Sequence, residues 1–556
     1  SSPSSPSSEG GGMFNTAESL ASMSILLLMC ILFGCILLGS LLKRLKFHYL
    51  HEAGVALLLG VFLGLFVTLG TSDRDSGYWL RFKKEFFFLF LLPPIIFESG
   101  YSMDPKPFFR NFGAICMFAF LGTFASTLLV GGIIWTAGAV GLVYRLPMLE
   151  SLLFGSLISA TDPVTVLAVF QELGADKNLY ALVFGESVLN DAVAIVLYNS
   201  LLVFRSEPVT FATCLGAVWS FVVIFAGSLA VGTLVACLSA LMFKGGNFKE
   251  HDRGSGHGAV VEVCLLLMFP YVSYMLAEGL QLSGIVSVLF CGIIMAHYTV
   301  ENLTDEAQAT SQGFFKVLAH LAETFVFIYM GADTFLARQS WRHVVFTIVT
   351  VIACLVARLA NVYPNAYLIN AARTRMGSPP IPRNHQHLLW VSGLRGAIAF
   401  ALALGTADDL PNQEHARTML TATTSVVLLT VLGIGGGTST LLEKYKGRET
   451  DGMSCPSPVR PAYNTAAAED GTPMAQARLS GSEGDSPDNV SSPRLGGRLA
   501  SESMRRLIDN VPRNFETLDQ RFLKPFLIGE RPADDSGGVE LSSMPEGSGA
   551  AGAGSR

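Results

Sequence analysis

Apolar residues in this chain come in long blocks separated by short polar stretches. With a window of about 19 residues they mark thirteen segments, roughly 20–42, 52–70, 86–100, 112–138, 149–170, 180–204, 211–242, 259–278, 280–298, 313–335, 343–371, 386–407 and 417–442. A helix needs about 20 apolar residues to cross hydrocarbon, so the pattern predicts an all-α polytopic membrane protein with about thirteen transmembrane helices. The first block is long for a signal sequence and is followed by basic residues rather than a cleavage site, so it reads as a retained span. The third block is short and holds Pro93-Pro94, so a broken or tilted helix is expected there. Only Gly279 separates the eighth and ninth blocks, which predicts a tight hairpin.

Two blocks are interrupted in their middles by polar residues. In the fifth, Ser159-Ala160-Thr161-Asp162-Pro163 removes an amide donor and biases Asp162 out of the α region. In the twelfth, Ser392-Gly393-Leu394-Arg395-Gly396 sets two glycines around a charge. The two lie seven blocks apart, as do the first and eighth, and an odd offset reverses the direction of the chain. Blocks one to six and eight to thirteen therefore read as two inverted six-helix repeats joined by the seventh, with crossing broken helices. Paired discontinuous helices point to a transporter's midplane site. The plain alternative is that proline and glycine are common in membrane helices.

Composition supports the membrane reading and removes other classes. Only 15% of residues are charged, against about 25% in soluble domains. Nine cysteines are scattered without a CxxC pair, so neither a disulfide framework nor a structural metal site is expected. A net charge of −6 gives no reason to expect nucleic acid as a partner. Lys and Arg in short loops modestly favour an extracytosolic N-terminus, and Lys444, Lys446 and Arg448 after the last block add to the cytosolic side. The sequon at Asn302 then faces the cytosol and goes unused. Residues 1–19 are expected to be disordered, as is most of the Ser/Gly/Pro-rich tail, 447–556. Within the tail, apolar residues between 503 and 527 recur at helical spacings, which suggests an amphipathic element for the membrane domain or a cytosolic regulatory protein; incidental periodicity is the alternative.

The chemistry concentrates in block six, where Phe184–Val193 reads FGESVLNDAV. Ser187 and Asp191 share one helical face, Glu186 and Asn190 the adjoining one. Ionisable groups at that depth face a cavity or a partner. Arg358 in block eleven needs a carboxylate, and Glu186 is a candidate. Asp162 suits the positive ends of the half-helices and Arg395 the negative ends. Asp191 is left over, and a lone carboxylate in hydrocarbon must hold a proton or a small cation. The structural alternative is that these groups only pair with polar groups on other helices.

FGESVLNDAV, SATDPV (159–164), FFLFLLPPIIFESGYSM (87–103) and GLRGAIAFAL (393–402) together resemble the sodium/proton exchangers of the cation/proton antiporter-1 family, over about Leu20 to Leu442. IIFESGYS and the tail's LDQRFLKPF (518–526) look most like its organellar, Golgi and endosomal branch, with the plasma membrane as alternative. The resemblance implies a homodimer in the lipid bilayer. Each protomer would have a dimerisation part (about 20–100 and 259–335), a mobile core (about 112–204 and 343–442) and a linker span (211–242). It makes Asp191 the cation and proton carboxylate, binding Na+ or K+ as substrate, with Asn190, Ser187, Thr161 and Asp162 beside it. Glu186 and Arg358 become a structural ion pair, and Arg395 a crossing-helix charge. Phe90, Leu91 and Glu323 fall in the inhibitor-sensitive region. No cofactor and no enzymatic activity are implied, and Glu98 receives no role.

One carboxylate that takes H+ or a cation, never both, predicts electroneutral one-for-one antiport by an elevator-type movement, regulating pH and cation content. The rivals are a monovalent cation channel and an intramembrane aspartyl protease using Asp162 and Asp191. The protease class needs its own GxGD-type motif, which is absent from this sequence. A channel needs a continuous ring-lined pore rather than one carboxylate between broken helices.

Overall fold

The structure is a computed structural model that describes residues 9–45, 51–70, 84–103, 105–162, 166–167, 170, 176–205, 210–246, 257–337, 339–377, 379–434, 519 and 523–528. Helix occurs in each of the thirteen apolar blocks, and the described residues contain no strand. The elements are α1 (Glu9–Arg44), α2 (Glu52–Gly70), α3 (Lys84–Phe86, a π-turn at Phe87–Leu91, then Leu92–Tyr101) and α4 (Pro105–Cys116, a π-turn at Met117–Leu121, then Gly122–Ala139). They continue with α5 (Met148–Ser159), α6 (Lys177–Val203), α7 (Phe211–Gly245), α8 (His257–Gly279) and α9 (Gly284–Ile294, a π-turn at Met295–Thr299, then Val300–Asn302). The last are α10 (Asp305–Leu336), α11 (Val344–Met376), α12 (Arg383–Val391), α13 (Ala397–Asp409), α14 (Gln413–Leu429 and a π-turn at Thr430–Ile434) and α15 (Lys524–Leu527). Among the described residues, nine helices are long and apolar enough to cross a membrane.

Several local expectations take a different form. Pro93 and Pro94 do not break α3. They sit just after its π-turn, where the helix widens around carbonyls that two prolines cannot serve as donors. Gly279 ends α8, but the hairpin is made by the residues after it, with Gln281 in the left-handed region (φ 59°) and Ser283 capping α9. Helix α1 begins at Glu9, inside the 1–19 segment. Most of the expected amphipathic element at 503–527 lies outside the described residues, as does most of the tail.

Packing follows the small residues. Gly60 and Gly64 of α2 lie against the backbone at Ile328 and Ala332 of α10, where any Cβ would overlap a carbonyl. Small residues four apart let membrane helices touch backbone to backbone. Helix α3 packs on α9 and α10, and α7 and α8 pack on α9. On the other flank α4 packs on α5, α6 and α11, and α13 on α14. Helix α7 touches both flanks. Its Phe221 packs with Val193 and Val196 of α6, whereas its Ser239 meets Thr299 of α9.

Candidate ion-binding site

The two interrupted segments meet backbone to backbone. Helix α5 stops at Ser159, Ala160 turns extended, and the Asp162 amide donates to the Leu394 carbonyl at 2.9 Å. Leu394 lies in the unwound stretch between α12 and α13. Gly396 enters α13 so close to Asp162 that a Cβ there would coincide with the Asp162 side chain. Asp162 therefore stands at the positive end of α13.

Both carbonyl ends of the half-helices are capped by arginine. Arg395 Nη1 donates to the Ser159 carbonyl (2.6 Å) and the Ala160 carbonyl (3.2 Å) at the end of α5. Arg358 Nη2 donates to the Leu389 carbonyl (2.6 Å) at the end of α12. Arg358 also grips Glu186, with Nη2 2.9 Å from Oε2 and Nη1 on Oε1. Both partners of that pair are buried. A planar guanidinium meeting a carboxylate along two parallel bonds is the geometry that makes a buried pair tenable.

Asp191 lies on the same helix as Glu186 and has no such partner. It forms no ion pair among the described residues and is 8% exposed. The Thr161 backbone approaches it within hydrogen-bonding reach, and Ser187 Oγ lies 3.2 Å from Thr161 Oγ1. Asp191 and Asp162 line a cavity of about 300 Å³ with Thr161, Glu98 and Glu323. The cavity also takes in Glu52, Ser102 and His320, which lie toward the end of the bundle that carries the α6 N-terminus, the α9 C-terminus and α15. A second cavity of about 640 Å³ at the opposite end is lined by Lys84, Tyr198, Glu278 and Asp409 and does not include Asp191.

Asn190 is turned differently from its neighbour. Its Nδ2 donates to the Ser159 carbonyl (3.1 Å) and to Thr161 Oγ1 (3.0 Å). Thr123 of α4 reaches its Oδ1 at 2.6 Å. Because the Ser159 carbonyl can only accept, the amide orientation is set, and Oδ1 is turned to Thr123 rather than to the cavity. Asn190 thus bonds the end of α5 through its amide nitrogen while Thr123 engages its oxygen. Sequence reasoning gave Thr123 no place, although a threonine in an apolar block is a signal of the same kind as Asn190 itself. The side chains of Phe90 and Leu91 are not among those lining the cavity, and Phe90 faces outward from the α3 π-turn, while Phe87 and Leu92 line it. Among the described residues no cluster of three or more His, Cys, Asp or Glu could hold a resident metal.

Residues 25–444 match the family model described as "Sodium/hydrogen exchanger, transmembrane". The chain is 48% identical over 426 residues to sodium/hydrogen exchanger 5 of Arabidopsis thaliana, covering 77% of this chain and 80% of that protein. It is 38% identical over 432 residues to human sodium/hydrogen exchanger 8, covering 76% and 72% respectively. Its fold is similar to that of the sodium proton antiporter MjNhaP1 from Methanocaldococcus jannaschii at pH 8. That match has a TM-score of 0.54 and 19% identity, and covers 76% of this chain and 99% of the other.

Proposed function

The chain belongs to the sodium/hydrogen exchanger family and is a multi-pass membrane exchanger of sodium ions for protons; we propose that Asp191 is the group at which the two ions compete. One observation carries this reading. Of the two arginines near the crossing, Arg358 is committed to Glu186 and Leu389, and Arg395 to the end of α5, while Asp191 faces the cavity without a counter-ion. A carboxylate so placed is neutralised by a proton or by a small cation with hard oxygen ligands. Thr161 and Asp162, which line the same cavity, and Ser187, which meets the Thr161 hydroxyl, supply further oxygens for that cation. Asn190 and Thr123 hold the break in shape.

A single carboxylate that carries either ion exchanges one for one and moves no net charge. The flank containing α4, α5, α6, α11, α13 and α14 is the carrier, and α2, α3, α8, α9 and α10 form the scaffold and the dimer face. The carrier shifts only when Asp191 is neutralised, since a bare buried charge costs several kcal/mol. The end bearing α15 faces the cytosol in this reading, so the cavity at Asp191 is open inward. Residence in Golgi or endosomal membranes, and K+ as a second substrate, follow from the motif resemblance.

Exchange driven by a pH gradient in proteoliposomes, with Na+, K+ and Li+ in turn, tests the proposal. Competition at one carboxylate requires the apparent cation KM to rise as pH falls on the binding side. It also requires the exchange equilibrium to ignore a clamped membrane potential. A KM indifferent to pH, or a potential-dependent equilibrium, would reject it.

A further inference from the structure

The second interruption leaves buried backbone that must find partners. Between the end of α12 at Val391 and the start of α13 at Ala397 the chain is unwound, and Ser392, Leu394 and Arg395 are all buried. Backbone groups there have neither a helix nor bulk water to satisfy them, and an unpaired one is costly. The Ser392 amide donates to the Leu388 carbonyl and the Leu394 amide to the Ser392 carbonyl, both at 2.9 Å, while the Leu394 carbonyl accepts from Asp162. Arg395 turns instead to α14. Its amide donates to Thr430 Oγ1 at 3.2 Å, and its carbonyl lies 3.4 Å from the same hydroxyl. No other hydrogen bond among the described residues reaches either group. The one hydroxyl proton is shared with the Val427 carbonyl (3.2 Å), and Thr430 is itself buried at the start of the π-turn that ends α14.

This contact has a counterpart at the first interruption. There Asn190, in the apolar block that follows the broken one, bonds the Ser159 carbonyl and the Thr161 hydroxyl. Thr430 also lies in the block that follows a broken one, thirteen after twelve as six after five, and also holds the break through its side chain. The two differ in what hangs from the residue they hold. The Arg395 guanidinium crosses to the Ser159 and Ala160 carbonyls, immediately before Thr161, whose backbone approaches Asp191. A fixed Arg395 backbone therefore fixes where the end of α5 sits. With it are set Thr161 and Asp162, which line the cavity beside Asp191. Helices α13 and α14 pack on one another within one flank, so a movement of that flank leaves the contact whole.

We propose that Thr430 is a positioning residue of the cation site. Its hydroxyl holds the Arg395 backbone and, through the Arg395 guanidinium, keeps the end of α5 in the geometry that presents Thr161 and Asp162 to a cation beside Asp191. This role rests on the reading of Asp191 above for the place where the ion sits. A metal ion exchanges its water shell for several protein oxygens at once, so a small displacement of two of them weakens its binding. Because the contact travels with the carrier, its loss acts on binding and spares the shift. The apparent cation KM is then the parameter that moves, and the maximal rate is not.

The test melts the full-length protein in detergent over a series of Na+ concentrations at alkaline pH, where protons compete least, and assays the same variants for exchange in proteoliposomes. A ligand that binds only the folded state raises the melting temperature according to its concentration over Kd, so the Na+ dependence reads affinity without transport. Thr430→Val keeps the volume and removes the hydroxyl. It should need roughly three- to tenfold more Na+ for the same stabilisation, the span of one lost hydrogen bond. The exchange KM should rise by the same factor at an unchanged maximal rate. Thr430→Ser, which keeps the hydroxyl and drops the methyl, should match the wild type in both. Thr430→Cys, a weaker donor and acceptor, should fall between them, and it carries the test if the valine variant does not fold. Wild-type Na+ dependence without the hydroxyl, a serine variant as impaired as the valine one, or a lower maximal rate at unchanged KM overturns the positioning role. Asp191→Asn separates the two readings. Na+ stabilisation that survives it rejects Asp191 as the ion's ligand, while the Thr430 series still reports whether the hydroxyl sets cation affinity.

Discussion

Two carboxylates on one helix, Glu186 and Asp191, are both buried and come to opposite ends. Glu186 is gripped on both oxygens by Arg358, is fully buried and is absent from the lining of both cavities. Asp191, little more than one turn along, opens onto the 300 Å³ cavity with no basic partner among the described residues. Under the exchange reading proposed above, that difference is what separates a carrier acid from a structural one. Burial is common to both, so burial alone does not make a transport site. A fixed counter-charge removes the need for a mobile one, and Arg395, the other arginine of the crossing, is held by the Ser159 and Ala160 carbonyls.

The comparison breaks most visibly at Asp191. Asp191→Asn keeps the shape, removes the charge and leaves the Glu186 pair untouched. Cation-dependent proton flux in proteoliposomes should fall roughly a hundredfold or more, because neither ion is then held at the crossing. Thermal stability in detergent should stay level or rise, since the variant no longer buries an unpaired acid. Near wild-type flux from this variant would sink the assignment.

Removing the counter-charge from the other acid has the opposite profile. Arg358→Met leaves Glu186 buried and unpaired, for a cost of about 3–5 kcal/mol. It also uncaps the Leu389 carbonyl of α12. Combining it with Glu186→Gln should recover part of the lost stability, but not the part owed to Leu389. Thermal melts of the two single variants and the double variant give the coupling directly. Strict additivity would mean that the two residues are neighbours without being a pair.

Much of this arrangement is legible in the amino-acid order, and the rest is not, for definable reasons. Apolar blocks of about 20 residues announce membrane helices because hydrocarbon tolerates little else. The breaks at Ser159–Pro163 and Ser392–Gly396 announce themselves by proline, glycine and charge. A guanidinium in an apolar helix demands a carboxylate, which makes Glu186 a candidate for Arg358, while the choice among the buried acids is made by the packing. What escapes is whatever depends on the rotation of one helix against another. The outward set of Phe90 follows from a π-turn that no residue in Phe87–Leu91 encodes by itself. The hairpin conformation at Gln281 is set by the close approach of α8 and α9. The engagement of the Asn190 amide by Thr123 depends on α4 lying against α6, a matter of tertiary register.

That last contact gives the subtlest test of the comparison, because Thr123 carries no charge and lines neither cavity. Asn190 lies between the two acids in the helix and next to Asp191. Its amide donates to the carbonyl of Ser159, where α5 ends, and to the hydroxyl of Thr161, whose backbone approaches Asp191. Thr123→Val keeps the volume but removes the hydroxyl whose one proton is shared between Asn190 Oδ1 and the Ala119 carbonyl, at up to about 1–3 kcal/mol. If the amide serves to hold the break against Asp191, part of that cost appears as a several-fold rise in cation KM, since about 1.4 kcal/mol is tenfold in affinity. Thr123→Ser, which restores the hydroxyl, should return KM to the wild-type value. A lower melting temperature with an unchanged KM would place Thr123 among packing residues only, and the distinction between the two acids would then rest on the arginines alone.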